Sequence, residues 1–195
     1  MLRFRSFPLF SLLLALLVLA PALGASAADS PRYRRSVENY QVPDVILTNQ
    51  NREKVRLVEL LDSDIPVMVD FIYGTCTTIC PVLSAGFSNL QKKLSPDAKQ
   101  KVRLVSVTID PEYDTPEIMT EYLKRYRAQE GWDFLTGTRE DIDRVMHAFN
   151  AYIPDKMGHY PLNLLKGPGK DQWVRIYGLL STRDLMSEYD QLLEK

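Results

Sequence analysis

Ile65-Pro66-Val67-Met68-Val69-Asp70-Phe71-Ile72-Tyr73-Gly74-Thr75-Cys76-Thr77-Thr78-Ile79-Cys80-Pro81 decides the fold. Its first nine residues form an almost continuous apolar run of strand length, the pattern of a strand buried on both faces. After the cysteines the period changes. Leu83, Phe87, Leu90 and Leu94 recur at steps of four, three and four, which is one face of a helix. The two cysteines thus stand directly after a buried strand, at the start of a long helix.

Elements read on either side agree with that frame. Upstream, Val45-Ile46-Leu47 and Val55-Arg56-Leu57-Val58 read as two short strands around the turn Asn49-Gln50-Asn51. Downstream, Ser95-Pro96-Asp97 stops the first helix and Val102 to Ile109 is a second buried strand. Thr115 caps a helix with Pro116 at its first position and Ile118, Tyr122, Leu123 and Tyr126 on its apolar face. Phe134-Leu135 is a short strand. Thr138 with Asp141 forms a capping box for a helix carrying Ile142, Val145, Met146 and Phe149. Tyr160 to Leu165 and Trp173 to Tyr177 pair around Gly167-Pro168-Gly169-Lys170. Ser181 or Thr182 opens a closing helix with Leu185, Tyr189 and Leu193 inside. The order predicts an α/β, thioredoxin-like fold with an N-terminal β-hairpin extension and an inserted strand-helix, spanning residues 44–195.

Residues 1–27 are a different material. Arg3 and Arg5 precede the apolar run Leu12 to Ala20, Pro21 breaks it, and Ala25-Ser26-Ala27 supplies the small-x-small pattern of a cleavage site. This reads as a signal peptide. The competing reading is an uncleaved membrane anchor, for which Phe7 to Leu23 is barely long enough. Residues 28–43 read as a tether. The expected location is the periplasm, either free or anchored in the membrane and facing it. Losing the leader removes two arginines and no acids, so the formal charge moves from −1 to −3. Neither value argues for nucleic acid, and Arg32-Tyr33-Arg34-Arg35 is read as solvated surface.

The chain's two cysteines are Cys76 and Cys80. A bridge over so short a loop adds little stability by chain entropy, so chemistry explains the pair better than structure. On a regular helix, residues four apart have Cβ atoms about 5–6 Å apart, wider than a disulfide prefers. Two thiolates aimed at one point suit a metal ion. Pro81, however, favours a helix that begins near Cys80 and leaves Cys76 on the loop, which brings a disulfide within reach. The site can hold either. A cysteine at a helix start is also expected to have a lowered pKa. Of the two histidines, His147 reads as a boundary residue of its helix. His159 lies just before the first strand of the final hairpin, in a loop that faces the cysteines in a thioredoxin fold. Two sulfurs and one imidazole suit copper or zinc, and soft thiolates favour copper(I). Met157 is read as packing.

These residues resemble the Sco/SenC family, which helps assemble the copper centres of respiratory oxidases. The likeness is carried by Phe71 to Pro81, by Ser106-Val107-Thr108-Ile109-Asp110-Pro111-Glu112-Tyr113-Asp114-Thr115-Pro116, by Trp132 to Thr138, and by the place of His159, and it covers about residues 43–194. It implies one copper ion, as copper(I) or copper(II), bound by Cys76, Cys80 and His159. It also places Asp110 near the site, where a carboxylate can hold His159 or a loop; capping a turn before Pro111 is the alternative. It implies cytochrome c oxidase subunit II or a similar protein as copper acceptor, and another copper chaperone as donor. Such a metallochaperone is not an enzyme in the strict sense. The other reading is a thiol-disulfide reductase, with Cys76 attacking and Cys80 resolving. The chain departs from the family pattern at Thr77 and Gly158, where proline and aspartate are common. A cis bond before Pro161 would favour thiol-disulfide exchange. N-terminal sequencing of the exported protein is expected to read Ala28 first; a start at Met1 would establish the anchor instead.

Overall fold

The computed structural model describes residues 33–94 and 102–194. The leader, the expected helix stop at Ser95-Pro96-Asp97 and Lys195 lie outside these residues. Six strands form one sheet in the order β1-β8-β7-β4-β5-β6. They are β1 Arg34–Asn39, β4 Val67–Ile72, β5 Arg103–Thr108, β6 Trp132–Leu135, β7 Leu162–Lys166 and β8 Gln172–Tyr177. β4, β5 and β6 run parallel, whereas β7 is antiparallel to β4, β8 to β7 and β1 to β8. The expected upstream hairpin is present as a separate two-stranded sheet of β2 (Ile46–Thr48) and β3 (Lys54–Arg56). It is tied to the end of β6 by the reciprocal backbone bonds of Thr48 and Thr136.

β4 is buried at every position, as its apolar run requires. Alternation along the strand sends Asp70 to one face and Phe71 to the other. Helices α2 (Cys80–Lys93), α3 (Pro116–Arg125) and α5 (Thr182–Leu193) cover the Asp70 face. There Ser84 of α2 bonds Tyr122 of α3 at 2.8 Å, and Asn89 donates to Thr182 of α5. The end of α4 (Arg139–Ala148) covers the Phe71 face through Phe149, which packs on Phe71 and Trp173. Thr115 and Thr138 cap α3 and α4 as expected, and Ser181 with Asp184 completes a reciprocal capping box on α5.

Three readings need correction. Residues 34–39, taken as tether, are an edge strand paired with β8 along its whole length. The sequence Arg34-Arg35-Ser36-Val37-Glu38-Asn39 carries no buried alternation because its side chains stay largely in solvent, so only the backbone registers it. It is pinned by Glu188 of α5, which is buried and accepts from Tyr33 Oη and Arg35 Nε, each at 3.0 Å. Leu57 and Val58, read as strand, open the short helix α1 (Leu57–Leu61), in which Leu57 and Leu61 are buried one turn apart. In α5 the inward residue is Leu192 and not Leu193.

Asp70 is fully buried at the centre of the sheet, between Ser106 and Asn163. Burial pushes its pKa up to about 7, with the Ser106 hydroxyl pulling the other way. The folded protein therefore holds this proton where the unfolded chain releases it. Folding stability falls as pH rises from about 4 to about 7, by up to about 4 kcal/mol from this group. Urea unfolding at pH 5 and pH 8 is expected to show a smaller loss in Asp70→Asn than in wild type. Equal losses would show that Asp70 does not carry the slope.

Candidate metal centre

α2 begins at Cys80 with Ile79 at its N-cap and Pro81 in its first turn, leaving Cys76 on the loop. That loop is held by backbone polar groups. The Cys76 N–H donates to the Tyr73 carbonyl at 3.1 Å, and the Gly74 N–H donates to both oxygens of Asp114 at 3.0 and 3.1 Å. Position 74 must be glycine for this contact, because a Cβ there would lie 2.6 Å from Asp114 Oδ1. Asp114 is fully buried and also accepts from Thr108 Oγ1; burial raises its pKa against these donors. Asp114 is thus a positioning residue that motif reading passed over. Its signal was its place in the loop after β5, where parallel pairing brings it beside the end of β4.

The two thiols are free and differ sharply. Cys80 is wholly buried, and burial, followed by the neighbouring Cys76, pushes its pKa far up. Cys76 keeps 7% exposure. Burial raises it too, but donors outweigh that effect: the Cys80 side chain, the Cys80 N–H at 3.4 Å and the Thr78 hydroxyl at 3.7 Å bring it down to about 7. The expectation of a lowered pKa at the helix start therefore fails for Cys80. Desolvation outweighs the dipole there, and the free amide of the first turn acts on Cys76 instead.

His159 joins the pair. A single 3-10 turn, Lys156–Gly158, delivers it to the start of β7, and its Nδ1 lies 3.7 Å from Cys80 Sγ. One ligating atom from each of Cys76, Cys80 and His159 falls within 4.8 Å of the others. Burial lowers the His159 pKa, with the Phe71 backbone opposing, so the ring is neutral and able to ligate at neutral pH. Its Nε2 is buried without a hydrogen-bond partner. Soft sulfurs, a neutral imidazole and their convergence fit one small thiophilic ion.

Around this centre the other readings resolve. Asp110 is 8% exposed and has no hydrogen bond or ion pair with His159; its Oδ2 pairs with Lys156 Nζ at 2.5 Å. Its carbonyl also accepts from the Tyr113 and Asp114 amides in the turn that follows Pro111. Tyr73, read only as the end of a strand, forms a wall: its ring meets His159 edge to face at 6.1 Å. Burial and the nearby Cys76 push its pKa up to about 12, so it stays a neutral phenol. Met157 is 76% exposed and its Sδ reaches the Tyr73 hydroxyl at 4.0 Å, which corrects its reading as packing. His147 is a surface residue stacked on Tyr152. Pro161 follows a trans bond, as do all described residues.

Comparison with known proteins agrees with this arrangement. The SCO1/SenC family profile matches residues 40–166. The SCO1 protein homolog of Bacillus subtilis is 33% identical over 138 residues, covering 67% of this chain and 70% of the relative. The structure of BsSco, described with a disulfide switch as a member of the Sco family of cytochrome c oxidase assembly proteins, superposes with a TM-score of 0.66. It is 29% identical and covers 82% of this chain and 98% of its own. ScoI of Bradyrhizobium japonicum, solved with copper bound, shares the fold at a TM-score of 0.60 and 23% identity over 80% of this chain and 98% of its own. A thioredoxin-like domain in which the cysteine loop meets the loop entering the final hairpin at one end of the sheet, matched by this profile over most of its length, belongs to the SCO1/SenC family.

Proposed function

We propose that this protein is an exported metallochaperone that carries one copper ion on Cys76, Cys80 and His159 to the dinuclear copper centre of a respiratory oxidase. Cytochrome c oxidase subunit II or a similar protein is the acceptor, and another copper chaperone is the donor. The observation that carries this reading is the convergence of two sulfurs and an imidazole within 4.8 Å. The copper-bound ScoI and the assembly role given for BsSco support the choice of ion and of acceptor.

The residues divide the work by their surroundings. Cys76, on the loop with a pKa of about 7, is substantially thiolate at neutral pH and meets an incoming ion first. Cys80 lies deeper and holds its proton until an arriving cation replaces it. His159 closes the site as a neutral donor. An acceptor with its own thiolates then takes the ion by replacing these ligands one at a time. Export rests on the leader pattern of residues 1–27; among the described residues no helix is long and apolar enough to cross a membrane.

The contrast between the thiols favours a second reading, reduction of the acceptor's disulfide. The Cys76 thiolate attacks one sulfur of that disulfide, forming a mixed disulfide and releasing one acceptor thiolate. Cys80 gives its proton to that released thiolate, attacks Cys76 Sγ and frees the second acceptor sulfur, so the acceptor gains two electrons as a Cys76–Cys80 bridge forms.

Copper titration of the purified protein is expected to give one ion per chain. His159→Ala is expected to lose copper(II) affinity by more than about 100-fold, beyond the usual effect of losing only an outer partner. Equal binding by the variant would remove His159 from the site, and a wild type that reduces disulfides but takes up no copper would install the second reading. In the folded copper-free protein, iodoacetamide is expected to modify Cys76 with a rate that rises through a midpoint near pH 7, the side on which the thiolate forms. Cys80 is expected to stay unmodified over the same range. Mapping by mass spectrometry decides between them, and prior modification of Cys80 would reverse the assigned roles.

A further inference from the structure

The segment that delivers His159 is held to the rest of the molecule by very little. Inside it, Asp155 Oδ1 accepts from the Met157 N–H at 2.9 Å, Asp155 O from Gly158 N–H at 2.9 Å, and Lys156 O from His159 N–H at 3.1 Å. These bonds shape the turn but do not attach it. Met157 is exposed and its Sδ reaches only the Tyr73 hydroxyl, at 4.0 Å, while a side chain at Gly158 would touch nothing within 4 Å. Among the described residues, the strong polar link from positions 155–158 to the body of the fold is the Lys156–Asp110 ion pair. Lys156 Nζ also lies 5.5 Å above the Tyr73 ring, the same ring that walls His159.

Asp110 is a firm post for that link. It is nearly buried, its N–H donates to Thr108 Oγ1 at 2.9 Å, and its carbonyl accepts from the Tyr113 and Asp114 amides. Lys156 in contrast is 41% exposed in its side chain and stands at an open cleft lined also by Arg139, Asp143 and Tyr152. When Lys156 lets go it enters water and not protein, so the turn can open without disturbing the core.

We propose that Lys156 is a positioning residue whose ion pair with Asp110 holds His159 over the two cysteines and thereby sets the preference of the site for copper(II) over copper(I). This rests on the copper reading given above. The chemistry follows from ligand demand. Copper(I) is satisfied by few, soft ligands, and two thiolates suffice. Copper(II) requires more ligands and favours nitrogen, so it depends on the imidazole. Freeing the turn lowers the fraction of molecules with His159 in place, and affinity for the ion that needs it falls by that fraction.

The test compares wild type with Lys156→Met, Asp110→Asn, the double variant and Lys156→Arg, titrating copper(II) and copper(I) separately against chelators. Each single neutral variant is expected to weaken copper(II) binding about tenfold and leave copper(I) binding unchanged, and the double variant to be no weaker than either single one. Such a tenfold loss raises the bound copper potential by about 59 mV. Lys156→Arg is expected to keep the wild-type values. A merely electrostatic role would shift affinity in opposite directions when the positive and the negative member are neutralised, and that outcome overturns the proposal. In the copper-free protein, hydrogen exchange at the Gly158 and His159 amides is expected to speed up in Lys156→Met; unchanged exchange also overturns it. If wild type and His159→Ala bind copper(II) alike, His159 leaves the site and the claimed copper(II) preference falls, while a wild type that takes up no copper sinks the copper reading itself. The exchange measurement then still decides whether Lys156 holds the turn.

Discussion

In an antiparallel pair the end of one strand lies beside the start of the other. β4 and β7 are paired in this way, with Asp70 opposite Asn163, so the cysteine loop that leaves β4 and the histidine loop that enters β7 meet at one edge of the sheet. Parallel pairing would have set His159 beside Val67, about 20 Å down the strand at 3.3 Å per residue. The three donors, separated by 79 residues between Cys80 and His159, come together through strand direction before any side chain is considered. Asp114 adds the fine placement. Its carboxylate on the Gly74 amide fixes the point at which the chain leaves β4 and bends toward Cys76.

Two thiols four residues apart acquire opposite characters because desolvation and hydrogen bonding act on them unequally. The same helix start lowers one and fails to lower the other. Its free amide reaches the sulfur of the preceding loop, while its own first side chain is sealed against the sheet. A buried, reluctant thiol behind a willing one suits a site that must hold an ion and also let it go, since the outer ligand can exchange while the inner one stays.

The alternation of long elements was legible in the residues. β4, α2, β5 and the capped helices carry either a buried run or a 3.6-residue period, and these are local signals. The cysteines and His159 were legible for a related reason, as each stands at an element boundary whose place follows from topology. What escaped was encoded in partners far along the chain. β1 is recorded in the backbone of β8 and in Glu188, not in its own polar side chains. The Asp110–Lys156 and Asp114–Gly74 contacts span 46 and 40 residues, and no spacing rule links their members. The burial of Cys80 depends on the packing of α2 against the sheet, which a motif does not state.

The placement of β1 has a geometric consequence. Arg34 pairs with Tyr177, and Tyr177 with Leu162, so the polypeptide enters the sheet at the same end that bears the thiols and the imidazole. Three strand spacings, about 14 Å at 4.8 Å each, separate that entry from β4. The side chains at the start of β1, Tyr33 and Arg34 among them, therefore belong to the same end of the domain as Cys76, Cys80 and His159 and help to shape its surface there.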